Sequence, residues 1–256
     1  MSESALLAVI DRMHSIPAAR FSDARPFPYI TLDDALPLPQ IRTMHDRFFT
    51  LGDSYWEKSN DRGSEVKWRS NWRSEYDIPE PARELVRFLN SGIFLRALSS
   101  LTNIPHLIAD PYYTGGGFNF IRRGGHLDVH VDGNWHDIMQ VHRRLNLILY
   151  LNPDWREEWG GHLNFYAADA KEVVATIVPR GNRMLIFETH DFSYHGHPEA
   201  LVCPENEGRS SIILYYYTSA PRPSSQVSVA DPHSALWRSK DWHDKRGNRS
   251  RIPIGS

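Results

Sequence analysis

Hydrophobic residues in the first hundred positions recur mainly at the spacing of α-helices. Residues 4–15 and 40–52 carry apolar side chains three and four positions apart, which is typical of amphipathic helices. A further helical block is predicted over 79–102, where prolines suit the helix start and Leu and Phe recur along one side. Between the first two helices, 26–37 has the pattern of a short strand that runs into a loop. The N-terminal part of the chain is therefore predicted to be mainly helical.

From about residue 105 the pattern changes to short β-strands. Gly, Pro and Asn separate the segments, and no long helix lies between them. This pattern favours a double-sheet jelly roll over a parallel α/β sheet. The predicted fold is mainly β with α: a double-stranded β-helix (a cupin-like jelly roll) with N-terminal helices that support the larger sheet. Strands are expected near 105–110, 117–122, 126–132, 144–152, 161–167, 173–178, 183–188, 193–198 and 211–218.

The predicted organisation is one domain followed by a tail. Residues 1–104 form the helical support and belong to the same domain as the jelly-roll catalytic core of residues 105–220. Residues 221–256 are rich in Pro and Ser and then basic, with seven Arg and Lys against three Asp. We expect this C-terminal basic tail to be solvated and loosely packed on the domain.

Composition and charge narrow the class of protein. The 256 residues carry 29 Lys and Arg against 31 Asp and Glu, which argues against a protein that grips nucleic-acid phosphates. The apolar run over 5–10 is too short for a membrane helix, and Glu3 precedes it where a signal peptide has positive charge. A single cysteine, Cys203, fits a reducing compartment. We expect a cytoplasmic protein without a membrane or nucleic-acid partner, and its oligomeric state stays open.

One strand with alternating polar and apolar residues carries the strongest chemical signal. If the segment HLDVHVD is extended, His126, Asp128, His130 and Asp132 lie on one face. Two imidazoles and two carboxylates on one face are costly to bury unless they meet water, each other or a cation. A His, a carboxylate two residues later and a distant His form the facial triad of non-haem Fe(II) oxygenases.

The distant histidine must come from a later strand. His190, His195 and His197 are the candidates in the segment THDFSYHGHPEAL. The residues alone do not choose among these three, nor between the overlapping His-x-Asp pairs of the earlier strand.

The apolar segment RSSIILYYYT predicts a buried site that binds the carboxylate of a ligand. Arg209 begins this segment, and its planar guanidinium can bind a carboxylate through two parallel hydrogen bonds. Ser211 lies two residues further on the same face, and Tyr150 lies on a strand expected to be its neighbour. These three groups could hold the far carboxylate of 2-oxoglutarate beside an iron. The basic residues Arg122, Arg123, Arg143 and Arg144 could favour an anionic group of the substrate, but we expect them to form a solvated rim.

Six blocks of the sequence occur in an order that is typical of one enzyme family. They are DPYYTGGGFNF, GGHLDVHVDGN, RRLNLILYLNPDWREEWGGHLNFY, NRMLIFE, SYHGHPEAL and RSSIILYYYT. With these blocks, residues 110–223 resemble the prolyl 4-hydroxylase-like branch of the Fe(II)/2-oxoglutarate-dependent dioxygenases. The resemblance implies that the iron ligands are His130, Asp132 and His195. It also implies that Arg209 and Tyr150 bind 2-oxoglutarate.

The resemblance further implies a reaction: hydroxylation of an unactivated C–H bond, coupled to decarboxylation of 2-oxoglutarate to succinate and CO2. Fe(II) and 2-oxoglutarate are the implied cofactor and co-substrate, and ascorbate is an additional candidate. The substrate stays open between a prolyl residue or proline-like molecule and another small molecule, such as a free amino acid, a natural product or a glycan precursor. The alternative from a different class is a non-catalytic jelly-roll binding module with a structural metal, in which Arg209 would have no use.

Overall fold

Two antiparallel β-sheets and five α-helices make up the described part of the chain. The computed structural model describes residues 2–59, 65–228, 232–238 and 243–244. The helices are α1 (Glu3–His14), α2 (Ala19–Ser22), α3 (Leu38–Thr50), α4 (Glu80–Leu89) and α5 (Gly92–Thr102). The strands are β1 (Tyr29–Leu32), β2 (Trp56–Ser59), β3 (Lys67–Ser70), β4 (Ile108–Ala109), β5 (Gly117–Arg122), β6 (Leu127–Val131), β7 (Trp135–His136), β8 (Val141–Tyr150), β9 (Leu163–Tyr166), β10 (Val173–Ile177), β11 (Met184–Glu188), β12 (His195–His197), β13 (Gly208–Thr218), β14 (Leu236–Trp237) and β15 (His243–Asp244).

The strands divide into a larger and a smaller sheet. The larger sheet has the order β1-β11-β8-β13-β5-β3-β2, with β4 paired to β13 and β7 paired to β8. The smaller sheet has the order β10-β9-β12-β6-β14-β15. Most neighbours in these orders are far apart in the chain, as when β12 lies between β9 and β6, so the topology depends mainly on long-range pairing.

Side-chain alternation along the central strand β8 separates two hydrophobic cores. Leu145, Leu147 and Leu149 join a core that includes buried residues of α1, α3, α4 and α5. Ile148 and Tyr150 instead pack with buried residues of β9, β10 and β11. Because successive side chains of a strand point to opposite faces, one face of the larger sheet supports the helices and the other faces the smaller sheet. The interior between the sheets is therefore available for a site.

The predicted helical block over 79–102 is two helices. The chain leaves α4 after Leu89, and the hydroxyl of Ser91 accepts a hydrogen bond from the backbone N–H of Phe94 at the start of α5. A serine in this capping position stabilises a new helix start in place of a continuous helix. The apolar side of α5 is nevertheless buried, as its leucines predict, with Leu98 and Leu101 in the core.

Two strands interrupt the helical pattern expected for the N-terminal part. β2 and β3 pair with each other, and β3 pairs with β5 at one edge of the larger sheet. Only Trp56 and Ser59 of β2 are buried, at its two ends, so the hairpin lacks the alternation by which a strand is recognised. Pairing with β5, rather than its own periodicity, explains why this segment is extended.

The expectation of a loosely packed tail is wrong for residues 232–238, which we call the C-terminal strap. Its strand β14 pairs with β6 at the register Leu236 to Val131 and Trp237 to His130. Leu236 and Trp237 are 4% and 1% exposed. Only these two apolar residues of the strap are buried, and two residues do not change the polar, basic composition from which a loose tail was predicted. The predicted boundaries 1–104, 105–220 and 221–256 stay predictions, and residues 229–231, 239–242 and 245–256 lie outside the described residues.

No helix in the described ranges is both long enough and apolar enough to cross a lipid bilayer. The cytoplasmic compartment expected from the sequence stays a prediction.

Candidate active site

Three of the predicted residues meet where β6 pairs with β12. His130 and His195 lie directly opposite each other in the register, with ring centroids 4.4 Å apart. Asp132 follows β6; its Oδ1 is 3.7 Å from His130 Nε2, and its Oδ2 is 3.9 Å from His195 Nε2. One ligand atom from each residue lies within 4.8 Å of the others, and all three residues are buried. Since metal–ligand bonds are roughly 2 Å long, this His-Asp-His cluster could hold a metal ion.

Backbone carbonyls fix both imidazoles with Nε2 towards the aspartate. Nδ1 of His130 donates to the carbonyl of Asp128, and Nδ1 of His195 donates to the carbonyl of Ser193, each at 2.9 Å. Because Nδ1 carries the proton, Nε2 of each ring keeps its lone pair for a metal. Asn146 of β8 donates from Nδ2 to Asp132 Oδ2 at 3.1 Å and so orients the carboxylate. Such outer hydrogen bonds are typical of metal sites.

The charges in the cluster also suit a cation. Burial raises the pKa of Asp132, but His130, His195 and Arg143 outweigh it and hold the pKa well below its usual range. Burial, together with the neighbouring His130, lowers the pKa of His195 to about 4. At neutral pH the aspartate is therefore ionised and His195 is neutral, which are the protonation states that bind metals.

The other histidine candidates lie outside the cluster. Among the described residues, the His-Asp-His cluster is the one group of three that could hold an ion. Nδ1 of His190 accepts a hydrogen bond from the backbone N–H of Phe192 at 3.1 Å, and its ring packs edge-on against Phe27. His197 is buried, and neither ring nitrogen has a hydrogen-bond partner in the described ranges. His126 and Asp128 are only half-buried.

The predicted carboxylate-binding residues meet on the interior face of the larger sheet. Ser211 of β13 lies opposite Tyr150 of β8. Nη2 of Arg209 donates to the Tyr150 hydroxyl at 3.2 Å, and its Cζ lies 5.0 Å from the centroid of the tyrosine ring. All three side chains are at most 3% exposed. We call Arg209, Tyr150 and Ser211 the anion pocket.

Two groups of the anion pocket have no partner of the kind that an anionic ligand could supply. Arg209 forms no ion pair with any of the described residues, although a buried guanidinium is costly without a negative partner. The buried hydroxyl of Ser211 likewise has no hydrogen-bond partner within the described part of the chain. A carboxylate between them would satisfy both groups, which fits the far end of 2-oxoglutarate.

A glycine that sequence reasoning missed makes room for Arg209. Nε of Arg209 donates to the carbonyl of Gly161 at 2.9 Å. Gly161 has a φ of +71°, and a Cβ there would lie 2.6 Å from Leu201 Cδ2 and 3.0 Å from Arg209 Cδ. Only glycine fits this combination of left-handed backbone and close contact without strain. The paired glycines at 160–161 were the available signal in the sequence.

A cavity of about 590 Å³ reaches the metal cluster from outside. Arg143, expected in a solvated rim, lines this cavity, with its Cζ 3.8 Å from the ring centroid of Tyr215. The β8–β13 register shifts between Tyr216 and Tyr217, and this irregularity turns Arg143 away from the alternation of the rest of β8. The prediction of a solvated rim is also wrong for Arg144, because this residue is buried and forms an ion pair with Glu188. The other aromatic residues of the cavity wall are Trp72, Tyr112, Tyr113, Trp135 and Trp237.

A cluster of two histidines and one carboxylate with open coordination positions is typical of non-haem Fe(II) oxygenases. Residues 116–217 match the family model described as the 2OG-Fe(II) oxygenase superfamily. Residues 116–217 are therefore identified as a 2OG-Fe(II) oxygenase domain, and the predicted recognition and class of enzyme agree with this superfamily. The predicted Fe(II) and 2-oxoglutarate are confirmed with them, whereas ascorbate stays a prediction.

Two curated relatives match about two fifths of the chain. Prolyl 3-hydroxylase OGFOD1 of Mus musculus is 36% identical over 104 residues, which cover 39% of this chain and 19% of the mouse protein. The Xenopus laevis protein of the same name is 31% identical over 106 residues, which cover 38% of this chain and 20% of that protein. The similarity thus spans about a fifth of the length of these relatives.

Solved structures of low sequence identity share the fold. A prolyl-4-hydroxylase of Pseudomonas putida has a TM-score of 0.55 and 16% identity, covering 84% of this chain and 100% of that chain. A Trichoplax adhaerens prolyl hydroxylase, solved with a peptide fragment of the hypoxia inducible factor oxygen degradation domain, has a TM-score of 0.58 and 15% identity, covering 85% and 94%. This likeness confirms the predicted jelly roll with supporting helices.

Proposed function

We propose that the protein hydroxylates a prolyl residue of a peptide, using Fe(II) held by the His-Asp-His cluster and 2-oxoglutarate held by the anion pocket. The observation that carries this proposal is the pairing of a three-ligand cluster with a buried, unpaired guanidinium in one interior. Phe187 connects the two groups, because its ring centroid lies 4.9 Å from that of His195 and it belongs to the same core as Tyr150.

When bound, the iron and 2-oxoglutarate supply the oxidation, in which one atom of O2 enters the substrate C–H bond, the other enters succinate, and CO2 leaves. The protein residues bind and orient. Arg209 binds the far carboxylate, and Tyr150 and Ser211 add donors to it. Asn146 holds the Asp132 carboxylate, and the enclosed, largely aromatic interior excludes water from the reacting groups.

The residues that line the cavity favour a substrate with a carbonyl group next to a ring. Arg143 lines the cavity and has no carboxylate within ion-pair distance among the described residues, so it can donate to a substrate carbonyl. Aromatic side chains such as Tyr215 and Trp237 line the cavity and suit an apolar ring such as pyrrolidine. The relatives are named prolyl hydroxylases, which adds support for this choice over other small molecules.

The first experiment tests the metal and the co-substrate without knowledge of the substrate. Fe(II) and then 2-oxoglutarate are titrated into the protein without oxygen, and the charge-transfer absorption band of the ternary complex is recorded. We expect the band in the native protein and in the matched variants His126→Ala and Asp128→Ala, and its loss in His130→Ala and Asp132→Ala. Loss of the band in His126→Ala with retention in His130→Ala would put the ligands on the other His-x-Asp pair.

The second experiment tests the substrate. Prolyl-containing peptides, free proline and other amino acids are screened for substrate-dependent succinate formation, with mass spectrometry for the gain of one oxygen atom. We expect turnover with peptides. Turnover confined to free amino acids would favour the small-molecule alternative. Absence of the absorption band in the first experiment, with no turnover of any substrate, would favour the binding module.

A further inference from the structure

The C-terminal strap lies beyond the residues that match the family model, yet it contacts a proposed metal ligand. The match ends at residue 217, whereas the strap comprises residues 232–238. Trp237 pairs with His130 across the β14–β6 register, and the two rings are stacked with centroids 4.5 Å apart and an interplanar angle of 29°. His195 lies 4.4 Å from the same imidazole. The His130 ring is therefore enclosed between an indole and a second imidazole.

Contacts before and after Trp237 fix the strap on the smaller sheet. The backbone N–H of His233 donates to Asn134 Oδ1 at 2.8 Å, and the backbone N–H of Asn134 donates to the His233 carbonyl at 3.1 Å. After Trp237, the backbone N–H of Arg238 donates to the carbonyl of Val129 at 2.6 Å. Leu236 packs into the core on the opposite face of the smaller sheet. The indole is thus held in place from both directions along the chain.

The buried residue Asp191 ties the strap to the loop that leads into His195. Its backbone N–H and carboxylate bind the segment before the strap, with Oδ2 accepting from the Ser228 N–H at 2.7 Å. Oδ1 lies 3.1 Å from both His233 Nε2 and Arg222 Nη1. The strap is therefore joined to both strands that carry the proposed histidine ligands, through β6 and through the loop before β12.

We propose that Trp237 is a positioning residue of the metal site and that the strap is part of the wall of the substrate cavity. Nδ1 of His130 is held at one edge by the carbonyl of Asp128, and stacking on Trp237 fixes the plane of the ring, so that Nε2 points at the ion. Trp237 and residues 232–235 also line the cavity. This inference rests on the proposed function, because it takes His130 as a metal ligand.

Co(II) binding tests this inference without catalysis. Co(II) is titrated into the native protein and into Trp237→Phe, Trp237→Leu and Leu236→Ala, and the visible absorption of the bound ion gives both affinity and coordination geometry. Removing an outer partner of a metal ligand typically costs about 10- to 100-fold in affinity. We expect Trp237→Leu to lose about 10-fold and to change the spectrum, and Trp237→Phe, which keeps an aromatic face, to stay within about 3-fold. Leu236→Ala loosens the strap but keeps the indole ring, so we expect its Co(II) affinity to lie between those of the native protein and Trp237→Leu.

The outcomes separate this inference from the proposed function. If Trp237→Leu is folded by circular dichroism and binds Co(II) with native affinity and spectrum, the positioning role is wrong, while loss of binding in His130→Ala leaves the proposed function intact. Equal loss in Trp237→Phe and Trp237→Leu would also overturn it, because the aromatic face would then be irrelevant. If His130→Ala binds Co(II) as the native protein does, both the inference and the proposed ligand set fail.

Discussion

Replacement of Arg209 by methionine removes the positive charge that the anion pocket offers to a carboxylate. The side chain is 3% exposed, and two of its nitrogens are already fixed by Gly161 and Tyr150. Truncating one partner of a buried, hydrogen-bonded charge pair typically costs about 2 to 5 kcal/mol. We therefore expect the Kd for 2-oxoglutarate to rise by at least about 30-fold. Arg209→Lys keeps the charge but loses the planar fork, and we expect a loss of about 10-fold.

The assay compares two ligands that differ only at the far end. Binding of 2-oxoglutarate and of 2-oxopentanoate, which has a methyl group in place of the far carboxylate, is measured by absorption in the Fe(II)-loaded protein without oxygen. The native protein should prefer 2-oxoglutarate strongly, and Arg209→Met should lose most of that preference while its Co(II) affinity is unchanged. Arg123→Met is the matched control, because Arg123 is an exposed arginine directly after β5 of the same sheet and donates to loop carbonyls. Full retention of the preference in Arg209→Met would refute the assignment of the anion pocket.

Three further substitutions test individual contacts. Gly161→Ala should destabilise the fold by about 1 kcal/mol or more through its left-handed φ, and should weaken 2-oxoglutarate binding by displacing Arg209. In the control Gly160→Ala the added Cβ has no atom within 4 Å, so this variant should change backbone strain alone. Equal 2-oxoglutarate affinities in the two variants would contradict this reasoning. His197→Leu should leave the thermal unfolding midpoint unchanged or raise it, because the buried imidazole makes no hydrogen bond to the described residues, and a drop of several degrees would mean that it pairs with something. Ser91→Ala should cost about 1 kcal/mol in the free energy of unfolding, measured by urea denaturation, through loss of the α5 cap, and an unchanged midpoint would show that the cap contributes nothing.

The parts of the site that depend on short-range alternation could be predicted from the sequence. His130 and Asp132 share one face because they are two residues apart on an extended segment, and Arg209 and Ser211 share one face for the same reason. Likewise, the apolar run over 144–152 predicts a strand, which the structure has as β8 and buries on both faces. The choice of His195 among three candidates needed the family resemblance, because spacing within one strand says nothing about which distant residue lies opposite.

The parts that depend on irregularity or on long-range register could not be predicted. Arg143 reaches the cavity through a register shift in β8, and no period in the sequence marks such a shift. Trp237 meets His130 through a pairing between segments more than a hundred residues apart, attached by two apolar side chains in a polar stretch. Asn146 has the appearance of a polar interruption in an apolar strand until the structure places it beside Asp132. In each case the functional position is determined by tertiary contacts that override the local pattern.

The two halves of the site belong to different sheets, and their separation is set by the aromatic core between them. The metal cluster is carried by β6 and β12 of the smaller sheet, and the anion pocket by β8 and β13 of the larger sheet. Phe165 of β9 and Phe187 of β11 pack against each other at 5.3 Å, and both pack against His195. In the proposed arrangement 2-oxoglutarate, whose length is limited, reaches both halves, so a change in this packing should alter the binding of the co-substrate without touching it. In this arrangement the core between the sheets sets the distance between the metal cluster and the anion pocket and also stabilises the fold.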